Sequence, residues 1–376
     1  MVERPGTDYI PHKKKCNYRC AIHFRLIYST HLLLLKNFMN LAINGFGRIG
    51  RQALRIIQEN NLDINVVLIN DLTDAETLAH LFEWDSTYGH HECGDACYKD
   101  GMLTTEHGQI RVTASKDPAT LPHKELGVDV VLECTGVFRT RDAAAAHLKA
   151  GAKKVIISAP CKDDPDATFV IGVNEDTYDA ANHHVVSNAS CTTNCIAPLT
   201  KVLDDTFGIK HGFMTTIHSY TNDQRLLDLP HKDLRRARAA AENIIPTTTG
   251  AAKAVSLVLP QLEGKLDGIS IRVPTPTGSV TDLVCTIEKD ADADAINAAF
   301  SKASESNMKG ILGYEERPLV LKDYVGDPRS SIIDAQNTKV HKQDGETMVK
   351  VLSWYDNEWG YSNRLVELAQ LMGSKL

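Results

Sequence analysis

The chain has 376 residues, 43% hydrophobic and 24% charged, enough for two ordinary globular domains with buried cores. A formal net charge of -7 excludes a general pull toward nucleic acid or an anionic membrane, so any anion site must be local. Nine cysteines, an odd count scattered from Cys16 to Cys285, exclude a secreted disulfide scaffold and point to a reducing compartment.

Residues 1–38 form a cationic leader, with Arg4, Lys13, Lys14, Lys15, Arg19, Arg25 and Lys36 against only Glu3 and Asp8. The run from Leu32 to Leu35 is too short to span a bilayer, and no small-residue cleavage site follows it. Met39 directly precedes the first well-formed strand, so it reads as the natural start, with residues 1–38 a mistranslated or disordered arm.

From Asn40 the pattern is strand, glycine turn, helix: Leu41-Ala42-Ile43-Asn44, then Gly45-Phe46-Gly47-Arg48-Ile49-Gly50, then helical spacing through Leu54 and Ile57 to about Glu59. A continuous apolar strand, Val66-Val67-Leu68-Ile69, ends in Asn70-Asp71, 21 residues after Gly50. A bare GxGxxG is weak evidence. Here it follows a strand, opens a helix and is succeeded by a strand-end acid, which makes it a dinucleotide signature. Gly45, Gly47 and Gly50 permit a tight turn and close approach to pyrophosphate, and Asp71 can hold ribose hydroxyls.

His90-His91-Glu92-Cys93 with Cys97 gathers metal-ligand types, but no second pair completes a four-ligand set; no metal is expected, and the segment reads as a polar surface hairpin. Two more apolar strands follow, residues 128–132 leading to Thr135-Gly136, and residues 154–157 leading to Ser158. Near-continuous apolar strands imply a parallel sheet covered on both faces, with its ligand at the carboxyl ends.

A strand over residues 183–187 leads into Ala189-Ser190-Cys191-Thr192-Thr193-Asn194-Cys195, and apolar Ile196, Leu199 and Leu203 then recur at helical spacing up to a capping Gly208. Cys191 therefore stands at a helix start, where free N–H groups and the dipole favour an anion and a thiol pKa can fall to roughly 3.5 to 7.5. His218 ends the β-branched run from Phe213 to Ile217, one helix and one strand downstream, and can return beside Cys191 as its thiolate partner. Longer β-branched strands at residues 268–273 and 279–284 predict a mainly antiparallel second sheet, and a closing helix is expected from about Asn363 to Met372. The fold class is thus α/β: an N-terminal Rossmann-type parallel sheet over residues 39–190, completed by a C-terminal helix within 357–376, and an α+β catalytic unit over 191–356.

Three segments carry a family likeness: Asn44-Gly45-Phe46-Gly47-Arg48-Ile49-Gly50-Arg51, residues 187–195, and Trp354-Tyr355-Asp356-Asn357-Glu358-Trp359-Gly360-Tyr361. Over residues 39–376 the chain closely resembles the phosphorylating glyceraldehyde-3-phosphate dehydrogenases. The resemblance implies Cys191 as nucleophile and His218 as its base, with glyceraldehyde 3-phosphate and inorganic phosphate as substrates. It places one phosphate site on Thr221, Asp223, Arg236 and Arg272, and the other on Ser190, Thr192, Thr249 and Gly250. It implies NAD, held by Arg48 and Ile49 at the pyrophosphate, Asp71 at the ribose, Lys116 and Ser158 near the adenosine half, Thr135 beside them, and Asn357 at the nicotinamide carboxamide. Asp71 would repel a 2'-phosphate, and Leu229-Pro230 stands where NADP-using relatives usually carry small hydroxylated residues. The family's extended loop falls on residues 225–241 and implies a cytoplasmic homotetramer requiring neither membrane nor nucleic acid. The leader has no counterpart in the family, and His123 replaces a usual tryptophan. The alternatives are erythrose-4-phosphate dehydrogenase, from which the region 225–250 departs, and a catalytically retired binding protein, against which Cys191, His218, Arg236 and Arg272 argue.

Overall fold

The computed structural model describes residues 38–91 and 97–376. Residues 1–37 of the leader lie outside the described residues, as do Glu92 and Cys93 of the histidine–cysteine cluster.

The strands Met39–Asn44 and Ile64–Asn70 are apolar on both faces, and the alternation of side chains explains why. Leu41 and Ile43 pack on one side with Leu54 and Ile57 of the helix Arg48–Glu59, whereas Ala42 and Leu68 pack on the other with Val131, Val155 and Ile157. Each buried Leu, Ile or Val contributes about 1.5 to 3 kcal/mol, so a charge on either face would be strongly destabilising. Among the described residues the sheet has nine strands, in the spatial order Ala167–Thr168, Val185–Ser187, Lys154–Ile157, Val130–Glu133, Met39–Asn44, Ile64–Asn70, Gly108–Thr113, Met102–Thr105, Cys97–Lys99. Pairing is parallel up to Gly108–Thr113, and the last two strands close the edge antiparallel. The chain leaves Met39–Asn44 on one side for Ile64–Asn70 and returns on its other side at Val130–Glu133, which opens a crevice at their carboxyl ends.

The second sheet has eight strands among the described residues, in the order Ile245–Thr248, Leu266–Val273, Ile209–Ser219, Ser279–Ile287, Glu346–Tyr355, Ser331–Asp334, Leu312–Glu315, with Lys339–Gln343 beside Glu346–Tyr355. It is mainly antiparallel, but Ile209–Ser219 pairs with Leu266–Val273 in parallel, which sets His218 directly beside Arg272. The helix Cys191–Phe207 packs on this sheet through Ile196, Leu199 and Leu203 and ends at Gly208, whose φ of 72° suits a glycine cap. The closing helix, Trp359–Ser374, starts a turn earlier than its apolar spacing predicts, because Asp356 accepts from the N–H groups of Glu358 and Trp359 at 2.9 Å each. It packs on Arg48–Glu59 and on the strand Val130–Glu133.

The expected surface hairpin is partly corrected. Trp84–Asp85 and Gly89–His90 do pair, but His91 turns inward to 1% exposure, its ring held by Gln58 at 3.0 Å and Glu59 at 3.2 Å with Phe82 against its edge. The helix end supplies polar partners that let an imidazole be buried. No helix among the described residues is long and apolar enough to cross a membrane.

Candidate active site

The turn that delivers Cys191 is strained and tightly held. Ala189 adopts φ 54°, a left-handed conformation costing a non-glycine residue roughly 1 to 2 kcal/mol. Ser187 Oγ accepts from its N–H at 3.0 Å, and the Tyr361 hydroxyl donates to its carbonyl at 3.3 Å. Asn194 Nδ2 ties back to the Asn188 and Ser190 carbonyls at 2.9 and 3.0 Å. Ser190 is the N-cap, its hydroxyl accepting from Thr193 N at 3.0 Å, so Cys191 becomes the first residue of the helix and is only part-buried as a residue.

His218 Nε2 lies 3.4 Å from Cys191 Sγ. Two neighbours compete at Nδ1: the Ser219 carbonyl, 2.7 Å away, calls for a proton there and leaves Nε2 as the acceptor facing the thiol, whereas Arg272 Nη1, 2.5 Å away and donating to the same carbonyl at 3.0 Å, only donates and calls for a bare Nδ1. A base at Cys191 needs the first arrangement, with Nε2 bare. Burial and then Arg272 push the imidazole down to about 3. The thiol is not depressed as its helix position predicts. Burial pushes Cys191 up, against the Arg272 charge and the Thr192 hydroxyl and N–H. Cys195 is buried among Ser331 and Ser353, and burial pushes its thiol up to about 11.

The residues expected to hold phosphate fall into two groups. Arg236 binds Asp223 and reaches Thr247 Oγ1 at 2.6 and 2.8 Å, and both Arg236 and Asp223 act on the charge of Arg272. Thr221 precedes Gln224, whose amide oxygen accepts its N–H at 3.3 Å. Thr192 Oγ1 bonds the Tyr355 hydroxyl at 2.9 Å, while Thr249 Oγ1 accepts from Ala251 N at 3.1 Å beside Gly250, ahead of a short helix packed on the catalytic one. Arg238, next in the basic cluster, pairs with Asp228 at 2.9 Å on the surface.

Gly45, Gly47, Asp71, Lys116 and Thr135 line one cavity of about 410 Å³ at the sheet crevice. The cavity fits a dinucleotide. A Cβ at Gly45 would stand 2.7 Å from Thr135 N, whereas one at Gly47 would meet no protein atom within 4 Å, so packing does not demand a glycine at Gly47. The helix above has no side-chain cap and no acid in its first turn, which leaves the N–H groups of Arg48 and Ile49 and the positive dipole end for an anion. The Arg48 guanidinium does not take part. It grips Glu358 at 2.5 to 3.1 Å and also pairs with Asp85, so only the backbone of Arg48 remains for pyrophosphate. Gly50 is required for packing, since a Cβ there would meet the Gly45 carbonyl at 2.2 Å.

Asp71 accepts from Phe46 N at 2.7 Å and Thr73 N at 2.9 Å, with lone pairs left for hydroxyls. Asn357 is 7% exposed; its Oδ1 accepts from Ser219 Oγ, Gly278 N and Ser279 Oγ at 2.8, 2.9 and 3.2 Å, which leaves Nδ2 to donate elsewhere. Ser158 stands apart from the cavity lining, its N–H on the Glu133 carbonyl at 3.0 Å. Sequence reasoning missed Asn44, Asn70, Leu72, Val137 and Phe138 in the lining, and Tyr355, whose hydroxyl bridges Thr192 and Thr216. Leu72 and Val137, apolar residues just beyond strand ends, were the signal available; the structure leaves them 60% and 69% exposed.

A dinucleotide crevice beside a cysteine–histidine pair defines an NAD-dependent oxidoreductase acting on an aldehyde. The family description "Glyceraldehyde 3-phosphate dehydrogenase, NAD binding domain" matches residues 39–141, and the C-terminal domain of the same family matches residues 190–357. Glyceraldehyde-3-phosphate dehydrogenase of Streptomyces coelicolor is 56% identical over 339 residues, covering 90% of this chain and 99% of the relative. Those of Geobacillus stearothermophilus and, as glyceraldehyde-3-phosphate dehydrogenase 1, Bacillus subtilis are each 58% identical over 337 residues, with the same coverage. The chain belongs to the glyceraldehyde-3-phosphate dehydrogenase family. Neither erythrose-4-phosphate dehydrogenase nor a retired binding protein is favoured by these matches.

Proposed function

We propose that Cys191 and His218 carry out the oxidative phosphorylation of glyceraldehyde 3-phosphate to 1,3-bisphosphoglycerate, and the observation that carries this reading is the 3.4 Å approach of His218 Nε2 to the Cys191 sulfur. Nε2 takes the thiol proton as sulfur adds to the aldehyde carbon and returns it to the oxygen, giving a hemithioacetal. The same nitrogen then accepts the hydroxyl proton while the carbon is oxidised to a thioester. NAD, when bound, supplies the hydride acceptor. Inorganic phosphate attacks the thioester carbon, the acyl phosphate leaves, and the sulfur recovers its proton from His218. Arg236 and Arg272 with Thr221 and Asp223 hold one phosphate, and Ser190, Thr192, Thr249 and Gly250 the other; guanidinium forks and hydroxyls suit that task.

In the same reading Gly45, Gly47, Gly50, the backbone of Arg48 and Ile49, Asp71, Lys116, Thr135, Ser158 and Asn357 Nδ2 border NAD. Residues 39–190 with the helix in 357–376 form the nucleotide unit, and residues 191–356 the catalytic unit. The exposed Leu226, Leu227, Leu229 and Leu234 support burial of the loop 225–241 in a homotetramer, which would be cytoplasmic.

Purified protein is expected to form NADH from glyceraldehyde 3-phosphate only when inorganic phosphate is present, and phosphate-independent turnover would replace this reading with hydrolysis of the thioester. NAD is expected to exceed NADP in kcat/KM by more than about tenfold, or about 1.4 kcal/mol, because the Asp71 carboxylate meets a 2'-phosphate with like charge. Asp71→Gly with Leu229→Thr and Pro230→Ser should narrow that ratio. Equal use of both cofactors by the parent would remove Asp71 from the ribose.

A further inference from the structure

Behind the cofactor crevice a line of hydrogen bonds runs inward to two histidines that the chemistry at Cys191 does not use. Glu133, at the end of the strand Val130–Glu133, accepts at Oε1 from the N–H of Thr135 at 2.9 Å and from its hydroxyl. Its other oxygen accepts from Asn44 Nδ2 at 2.5 Å and meets His147 Nε2 at 3.1 Å. Asn44 Oδ1 in turn accepts from Asn70 Nδ2 at 2.7 Å. Asn44, Asn70 and Thr135 all line the crevice. On the far side of the imidazole, His147 Nδ1 lies 2.9 Å from His123 Nε2. Both histidines have 0% exposure, and His123 Nδ1 has no partner.

We propose that His123 is a positioning residue for the cofactor: its Nε2–H holds His147 in the tautomer that donates to Glu133, and Glu133 thereby fixes Thr135 at the crevice. A carboxylate only accepts, so His147 Nε2 directs a proton to Glu133, and Asn44 Nδ2, 3.4 Å from that nitrogen, gives its own N–H to the same carboxylate. In the neutral ring Nδ1 is then bare and accepts, so His123 Nε2 carries a proton toward it. His123 Nδ1 is left bare, which agrees with its lack of a partner. Burial, and then His147, push His123 down to about 4, so the ring is neutral at neutral pH and the chain of donors stays in one direction. The site therefore uses His123 as a donor only. An indole N–H can replace that function, because it donates and has no acceptor to leave unpaired. A phenyl ring cannot. Without the donor, His147 is free to place its proton on Nδ1, and Glu133 then loses one of the partners that hold its rotamer.

This inference rests on the reading that Thr135 borders NAD, and the test separates the two. NAD affinity is measured by calorimetry, with kcat and KM from steady state, for the parent and for His123→Phe, His123→Trp, His123→Gln and Thr135→Ala. The tautomer of His147 is read from 15N ring shifts. His123→Phe is expected to raise Kd and KM for NAD by about fivefold to tenfold, the size of one lost buried hydrogen bond, and to leave kcat within about twofold. The His147 ring should then show both tautomers. His123→Trp or His123→Gln, which keep a donor, should restore affinity and the single tautomer. An unchanged Kd in His123→Phe while Thr135→Ala binds weakly overturns the proposal alone; unchanged Kd in both overturns the crevice reading with it. Should His123→Phe fail to fold, the parent decides, because a His147 ring protonated at Nδ1 contradicts the assignment.

Discussion

Replacing Cys191 by serine is expected to lower the rate of phosphate-dependent NADH formation by at least about 10⁴-fold while leaving NAD affinity unchanged. The oxygen occupies nearly the same place at the first turn, so the Ser190 cap and the Asn194 ties persist. The nucleophile is what changes. A serine hydroxyl is far less acidic than a thiol, and a single neutral imidazole with Arg272 against it cannot deprotonate it appreciably. The same logic makes one equivalent of an alkylating agent at neutral pH inactivate the parent through Cys191. Cys134, Cys161, Cys195 and Cys285 are pushed up to about 11 or 12, chiefly by burial. Retention of more than about one hundredth of the activity by Cys191→Ser, or full activity with Cys191 alkylated, would end the covalent mechanism.

The nucleotide fold and the reacting pair were legible because their signals are local. Gly45 and Gly50 stand where the turn leaves no room for a side chain, and apolar strands of the right length announce a doubly covered sheet. Cys191 could be placed from Ser190 before it and the helical spacing after it. What was not legible depends on pairs distant in the chain. Thr192 meets Tyr355 across 163 residues, and Arg48 meets Glu358 across 310, so the diversion of the Arg48 guanidinium from the pyrophosphate leaves no trace in the local motif. The elevated Cys191 thiol has the same origin: helix position argues for a thiolate, but burial is a property of the assembled site and outweighs it. His218 was expected beside Cys191, whereas its parallel register with Arg272, which after burial lowers its proton affinity, required the sheet itself.

His218→Asn is expected to reduce kcat at pH 7 by about 10² to 10⁴-fold, the usual contribution of a positioned general base, with little change in NAD affinity. The pH dependence separates this role from mere packing. In the parent the imidazole, held down near 3 by burial and Arg272, stays unprotonated across the working range and is ready to accept. The thiol is held above its ordinary value, so through the same range the reacting form is a thiol facing a base, and kcat/KM of the parent should stay nearly level with pH. Removing His218 leaves solvent hydroxide as the acceptor, so the variant's rate must climb with the thiolate fraction as pH rises. The defect must therefore shrink as pH increases. Alkylation of Cys191 by iodoacetamide should show the same contrast without substrate or cofactor. A uniform loss at every pH, with the alkylation profile unmoved, would mean that asparagine had only disturbed the packing against Tyr355. A loss smaller than about tenfold at pH 7 would take the proton-transfer role away from His218 altogether.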